Sequence, residues 1–154
     1  MRPLQGPLSL HALIASRAPG SVVLIRLAVG AVFLSEGIQK FLYPAAVGAG
    51  RFAKIGLPNP EFLGPFVGCF EIACGAAVLA GLLTRLAAVP LVTIMLVALA
   101  STKVPILLNK GFWTMAHESR TDWSMLLGSL FLLIVGAGRW SLDAVLEKRL
   151  AKRG

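Results

Sequence analysis

The chain has 154 residues, of which 56% are hydrophobic and only 14% charged, with a formal net charge of +8. Water-soluble domains carry roughly 25% charged residues, so this composition excludes a soluble fold and indicates one integral membrane domain over residues 1–154. The basic excess lies beside apolar runs and at the C-terminus, where orientation in a bilayer accounts for it, and a nucleic-acid partner is set aside.

Residues 1–20 begin with Arg2, but Pro3, Pro7 and His11 interrupt a signal-peptide core, and Arg17 with Pro19 stands where small residues would mark cleavage. Retention is expected, with Leu10, Leu13, Ile14 and Arg17 suggesting a short surface helix. The first span is expected over about 22–42, near the ~20 residues that cross a ~30 Å hydrocarbon core. At ~100° per residue, Arg26, Gly30, Phe33, Gly37 and Lys40 form one stripe down that helix. Glu36 lies on its shoulder, four residues before Lys40, the better orientation for a helical ion pair. Charge at such depth calls for a protein-facing environment.

A short interfacial helix should begin near Pro44 and end at Gly56, because Pro58 and Pro60 forbid continuation. The second span, about 62–83, holds Gly64 and Gly68 at the spacing that lets helices approach closely, then Gly75. Glu71 sits near its middle, an expensive place for a carboxylate and therefore a candidate site. Cys69 and Cys74 lie on that same helix, cannot bridge each other, and read as packing residues. With no C-x-x-C or Cys/His cluster in the chain, a metal site is not expected.

The tight connection from Gly81 to Arg85, which includes Thr84, leads to a third span over about 86–108, with Lys103 near its end. The stretch from Asn109 to Asp122, containing Trp113, His117 and Glu118, is long and polar enough to form a lid over the bundle mouth. His117 has no second ligand beside it and reads as a loop histidine. The fourth span, about 123–138, lies between Trp123 and Trp140, ~26 Å apart along a helix and so able to mark both interfaces. A charged amphipathic basic tail occupies 141–154. The expected fold is all-α, an integral membrane four-helix bundle with short interfacial helices.

Four spans place both termini on one side. The basic residues of the Arg85 turn and the C-terminal tail assign that side to the cytoplasm. Counting ~1.5 Å per residue from the outer interface puts Lys40 at ~3 Å depth, Lys103 at ~5 Å, Glu36 at ~9 Å and Glu71 at ~13 Å. Helical side chains lean toward their own N-terminus, which moves the lysines inward and Glu71 outward. Glu36, Lys40, Glu71 and Lys103 are therefore expected to form one compensated polar cluster in the outer half of the bundle.

The sequence Arg26-x3-Gly30-x2-Phe33-x3-Gly37-x2-Lys40, then Gly56-Leu57-Pro58, then Gly68-x2-Glu71-x3-Gly75 with Leu82-Leu83-Thr84-Arg85, and finally Gly138-Arg139-Trp140-Ser141-Leu142-Asp143, resembles the successive motifs of the DoxX family of small four-span bacterial membrane proteins. It departs where many members have a His before Gly37, here Glu36, and where a His commonly comes after the third span. The resemblance implies a bacterial cytoplasmic (inner) membrane location and a role in redox chemistry. The family takes its name from a subunit of thiosulfate:quinone oxidoreductase, and some members are associated with thiol-oxidant defence complexes.

Two functions compete. The first, and the one the residues and the resemblance favour, is a membrane subunit of a redox system that binds a quinone or similar lipophile beside the polar cluster and partners a soluble or membrane oxidoreductase subunit. The other is a non-catalytic scaffold or assembly factor whose buried charges fix helix register, with a homo-oligomer open in either case. A small transporter is the weakest alternative, since four spans show no repeat.

Overall fold

The computed structural model describes residues 14–16 and 18–152. The surface helix expected from Leu10 to Arg17 therefore falls largely outside the described residues, although Ile14 is described and is buried. Every regular element among the described residues is helical. They are α1 (Val22–Leu42), α2 (Ala49–Lys54), α3 (Pro60–Ala80), α4 (Thr84–Ala98), a π-helical turn (Leu99–Lys103), α5 (Val104–Lys110), α6 (Phe112–Glu118), α7 (Arg120–Val135) and α8 (Leu142–Ala151). α1, α3 and the unbroken run Thr84–Lys110 are each long and apolar enough to cross a membrane. α7 has 16 residues, a rise of ~24 Å against a ~30 Å hydrocarbon core.

Helix ends obey local backbone chemistry and shift several expected boundaries. α2 starts at Ala49 and not at Pro44, because the Pro44 carbonyl first closes a turn by accepting from Gly48 and Gly50 N–H, 3.1 and 3.0 Å. α2 then ends as expected at Gly56: Leu57 N–H donates to Phe52 O and Gly56 N–H to Ala53 O, the Schellman pattern. α3 stops at Ala80, short of the expected 83, because Gly81 adopts φ +68° and the next helix has begun by Thr84. That helix runs on to Lys110 through the π-turn. The expected lid is not an open loop: its residues continue α5, form α6 and begin α7.

α1 packs on α3, α3 on α4, α4 on α7, and α7 on α1, closing a ring of four helices. The apolar core inside it includes Val29 and Phe33 of α1, Val78 of α3, Ala88 and Leu91 of α4, and Leu126 and Leu132 of α7. Apolar burial alone gives little drive to helix association in lipid, where the tails are as apolar as leucine, so close packing has to supply it. The α1–α3 seam does so with an antiparallel register in which Gly30 faces Gly75 and Gly37 faces Gly68. A Cβ on Gly75 would stand 2.7 Å from Leu34 N and 3.0 Å from Gly30 O. One on Gly68 would meet the ring edge of Phe41 at 2.8 Å, a side-chain atom that can move. Gly64 packs elsewhere, against Ala49 of α2.

These contacts rank the glycines. Gly75→Ala should cost about 1–3 kcal/mol by overpacking against backbone, while Gly68→Ala should cost less because Phe41 can rotate away. Val92 is partly buried against the core and so does not serve as a lipid-facing control; Leu24, 65% exposed, does, and Leu24→Val should be silent. Thermal unfolding in detergent measures all three, and equal losses at Gly75 and Leu24 would refute the seam.

Candidate functional site

Lys40 sits near the end of α1 and Glu71 in the middle of α3, yet the glycine seam brings their backbones close enough for the side chains to span the gap. Each leans toward its own N-terminus and so toward the other. Lys40 Nζ lies 2.6 Å from Glu71 Oε2, with the two side chains only 8% and 5% exposed. Glu36 is within electrostatic reach of Glu71 but makes no ion pair among the described residues. Lys40 turns across the helix contact to Glu71 and not along its own helix to Glu36. Two carboxylates thus stand near one lysine.

Lys103 does not join them. It closes the π-turn, and its Nζ lies 3.2 Å from Asp122 Oδ2 and donates to Glu118 O at 2.9 Å. The expected four-residue cluster is therefore divided: one ion pair ties α1 to α3, the other ties the α4–α5 helix to the start of α7. Asp122 is not among the residues expected from the sequence. Its signal is its place in the first turn of α7, where a carboxylate is stabilised by the helix N-terminus. Of the lid residues, Trp113 is 83% exposed and stacks edge-on with Phe112. His117 contacts the Arg120 guanidinium at 2.9 Å, and Glu118 contributes its backbone carbonyl to Lys103. None of the three is buried.

The opposite end of the bundle holds a second polar assembly built from residues that span the chain. Arg26, 3% exposed, donates from Nε to Val78 O (2.9 Å), from Nη2 to Leu79 O (2.5 Å), and from Nη1 to Trp140 O (2.5 Å) and Ala137 O (3.3 Å). Val78 and Leu79 lie in the last turn of α3, past which the α-helical ladder does not continue; the Val78 carbonyl also accepts from Gly81 N–H at 3.1 Å. Gly81 makes room, since a Cβ there would stand 2.6 Å from the guanidinium. Asp143 completes the clasp. Its carboxylate accepts from Leu83 N–H (2.7 Å) and Thr84 N–H (3.1 Å), and its own N–H donates to Gly81 O (2.8 Å). Ser141 caps α8 by accepting from Ala144 N–H at 3.1 Å.

Seven of the motif residues, Arg26, Gly30, Gly37, Gly68, Gly75, Thr84 and Arg85, thus sort by position. Gly30, Gly37, Gly68 and Gly75 form the seam. Arg26 is the hub of the clasp, Thr84 gives it a backbone amide, and Arg85 beside it donates to Ile134 O at 3.1 Å. Asp143 is legible in the sequence only as the end of a motif, with no role attached. Among the described residues no group of three or more His, Cys, Asp or Glu side chains is placed to hold a metal. Cys69 and Cys74 are free thiols, and Cys69 is exposed on α3 and not packed in the core as expected.

The model of the DoxX family matches residues 21–104. Over 148 residues, 92% of this chain and 91% of the relative, the sequence is 53% identical to the Uncharacterized membrane protein Rv3486 of Mycobacterium tuberculosis (strain ATCC 25618 / H37Rv). No solved structure matches the chain.

Lysine keeps the charge of arginine but cannot present donors to three separate backbone segments. Arg26→Lys should therefore destabilise the protein by about 2–4 kcal/mol, and Gly81→Ala should fall in the same range by displacing the guanidinium. Denaturation in mild detergent reads both; an Arg26→Lys variant as stable as the parent would show that the clasp holds nothing.

Proposed function

Because this chain belongs to the DoxX family of membrane proteins, we propose that it serves as a structural, non-catalytic membrane subunit of a redox system. Its embedded charges tie the helices together, and a soluble or membrane oxidoreductase subunit is its partner. The observation that carries this reading is the Lys40–Glu71 pair, 2.6 Å long and nearly dry, with Lys103 occupied by Asp122. A site that handles protons or a bound lipophile needs a carboxylate open to it, whereas this one is closed against a lysine in the glycine-lined contact between α1 and α3. Beyond Met95, the π-turn and α5 carry no buried residue, so that surface is available to lipid or to the partner. The proposed location is the bacterial cytoplasmic membrane, with α7 completing a fourth crossing and both termini in the cytoplasm, as the Arg85 turn and the basic residues of α8 favour.

A second reading keeps the redox role inside the chain: a quinone or similar lipophile would bind near the pair and exchange protons with it. The observation in its favour is the excess of carboxylates, Glu36 and Glu71 for one lysine.

The two readings separate on one detergent preparation. Under the structural reading, Glu71→Gln strands Lys40 and should cost about 3–5 kcal/mol, while Lys40→Met combined with Glu71→Leu should recover most of it. The lipophiles that co-purify should be unchanged by mass spectrometry. A Glu71→Gln protein that keeps its stability but loses a quinone would overturn the structural reading in favour of the second. For orientation, a cysteine at Asn59 should be labelled from outside intact cells and one at the C-terminus protected; the reverse pattern would contradict it.

A further inference from the structure

α8 is fixed at its beginning. Asp143, in its first turn, reaches the connection between α3 and α4, where its carboxylate accepts from Leu83 and Thr84 N–H and its own N–H donates to Gly81 O. α3 and α4 both belong to helices long and apolar enough to cross a membrane, so α8 starts where two spans leave the hydrocarbon, at the level of the headgroups. Trp140, 71% exposed, stands just before it, at the depth that interfacial tryptophans favour. At ~100° per residue, Leu142, Val145, Leu146 and Leu150 share one side of α8, and all four are exposed. The two acidic residues of the helix are engaged elsewhere: Asp143 is buried in the clasp, and Glu147 is partly buried with an interaction of its own. What α8 and the residues leading into it display outward is therefore basic, since Arg139, Lys148, Arg149 and Lys152 are all exposed.

We propose that α8 docks on an anionic phospholipid surface, and that this contact secures the clasp through Asp143. The exposed apolar side needs hydrocarbon and the cations beside it need negative charge. An anionic bilayer offers both within the depth of one amphipathic helix, acyl chains beneath headgroups. Its surface potential attracts juxtamembrane Lys and Arg and fades within a Debye length, about 8 Å at physiological salt, so it acts on a helix tied to the interface as this one is. Arg149 falls among the apolar residues on the helix, where its stem lies along them while the guanidinium reaches the headgroups. An acidic protein surface would match the charges but leave the four apolar side chains without a partner. The coupling to the clasp follows from Asp143, because a helix held on the surface keeps that carboxylate against the Leu83 and Thr84 amides.

The test is hydrogen exchange read by mass spectrometry on the full chain, in nanodiscs of phosphatidylcholine alone and of phosphatidylcholine mixed with phosphatidylglycerol. The amides of α8 and those of Leu83 and Thr84 should exchange several-fold more slowly with phosphatidylglycerol present, and added salt should shrink the difference. Lys148→Gln, Arg149→Gln and Lys152→Gln combined, all at exposed positions, should remove the difference while leaving exchange in phosphatidylcholine at the parent's level. Leu146→Ser should instead speed the exchange of α8 in both lipids. Both leaflets of a nanodisc have the same composition, so the result depends neither on which side the termini occupy nor on the redox reading. Equal exchange in the two lipids would overturn the proposal and leave the basic side of α8 to an acidic protein partner. A phosphatidylglycerol effect that survives the triple substitution, or that stops at α8 without reaching Leu83 and Thr84, would overturn it as well.

Discussion

A hydrocarbon slab offers no water to a polar group, and an unsatisfied donor, acceptor or charge there costs several kcal/mol. That constraint organises this molecule. Lys40 and Glu71 neutralise each other across the α1–α3 contact, Lys103 and Asp122 do so across the mouth of the other helix pair, and Arg26 directs its donors to backbone carbonyls. Each solution ties together elements that lie apart in sequence. The cost of embedding a charge is thus offset by contacts that also fix which helices are neighbours and in what register.

The glycines make those solutions geometrically possible. A lysine near one helix end reaches a carboxylate at mid-helix on its neighbour only because Gly37 and Gly68 let the two backbones approach. At Gly81 the missing side chain does two jobs: it permits the left-handed conformation that ends α3, and it leaves the volume that the Arg26 guanidinium fills. Arg26 binds two carbonyls of that last turn, Val78 O and Leu79 O, so the termination signal and the arginine act at the same place. Asp143 extends the clasp to the N-terminus of α4, which gives a physical reason for a C-terminal motif that lies beyond the matched residues 21–104.

Much of this is legible in the residues. The stripe from Arg26 to Gly37 is the buried face of α1, and the helical side-chain lean brings Lys40 to Glu71. The fate of Lys103 is not legible. Its expected position assumes a uniform α-helix, but Leu99–Lys103 winds as a π-helical turn with i→i+5 bonding, so the residue that closes it leaves the α-helical register. The segment after Asn109 has the polar composition of a loop. Its helices form all the same, and Asp122 emerges in the first turn of α7 opposite the lysine. Arg26 falls on the protein-facing stripe, yet its partners are invisible in the sequence, since backbone carbonyls carry no sequence signature.

A membrane protein whose embedded charges are engaged in holding helices together is suited to presenting a surface, and less to turning over a substrate inside the bundle. The functional reading rests on that distinction, and its first requirement is that Lys40, and not Lys103, meets Glu71. Solid-state NMR on the protein in lipid bilayers, recoupling the ¹⁵Nζ of lysine with the ¹³Cδ of glutamate and assigning each by single substitution, addresses it directly. A strong one-contact coupling between Lys40 and Glu71, with Lys103 coupled instead to the Asp122 carboxylate, is the expected result. A Glu71 signal coupled to Lys103, or to no lysine at all, would contradict the structural role assigned to these charges.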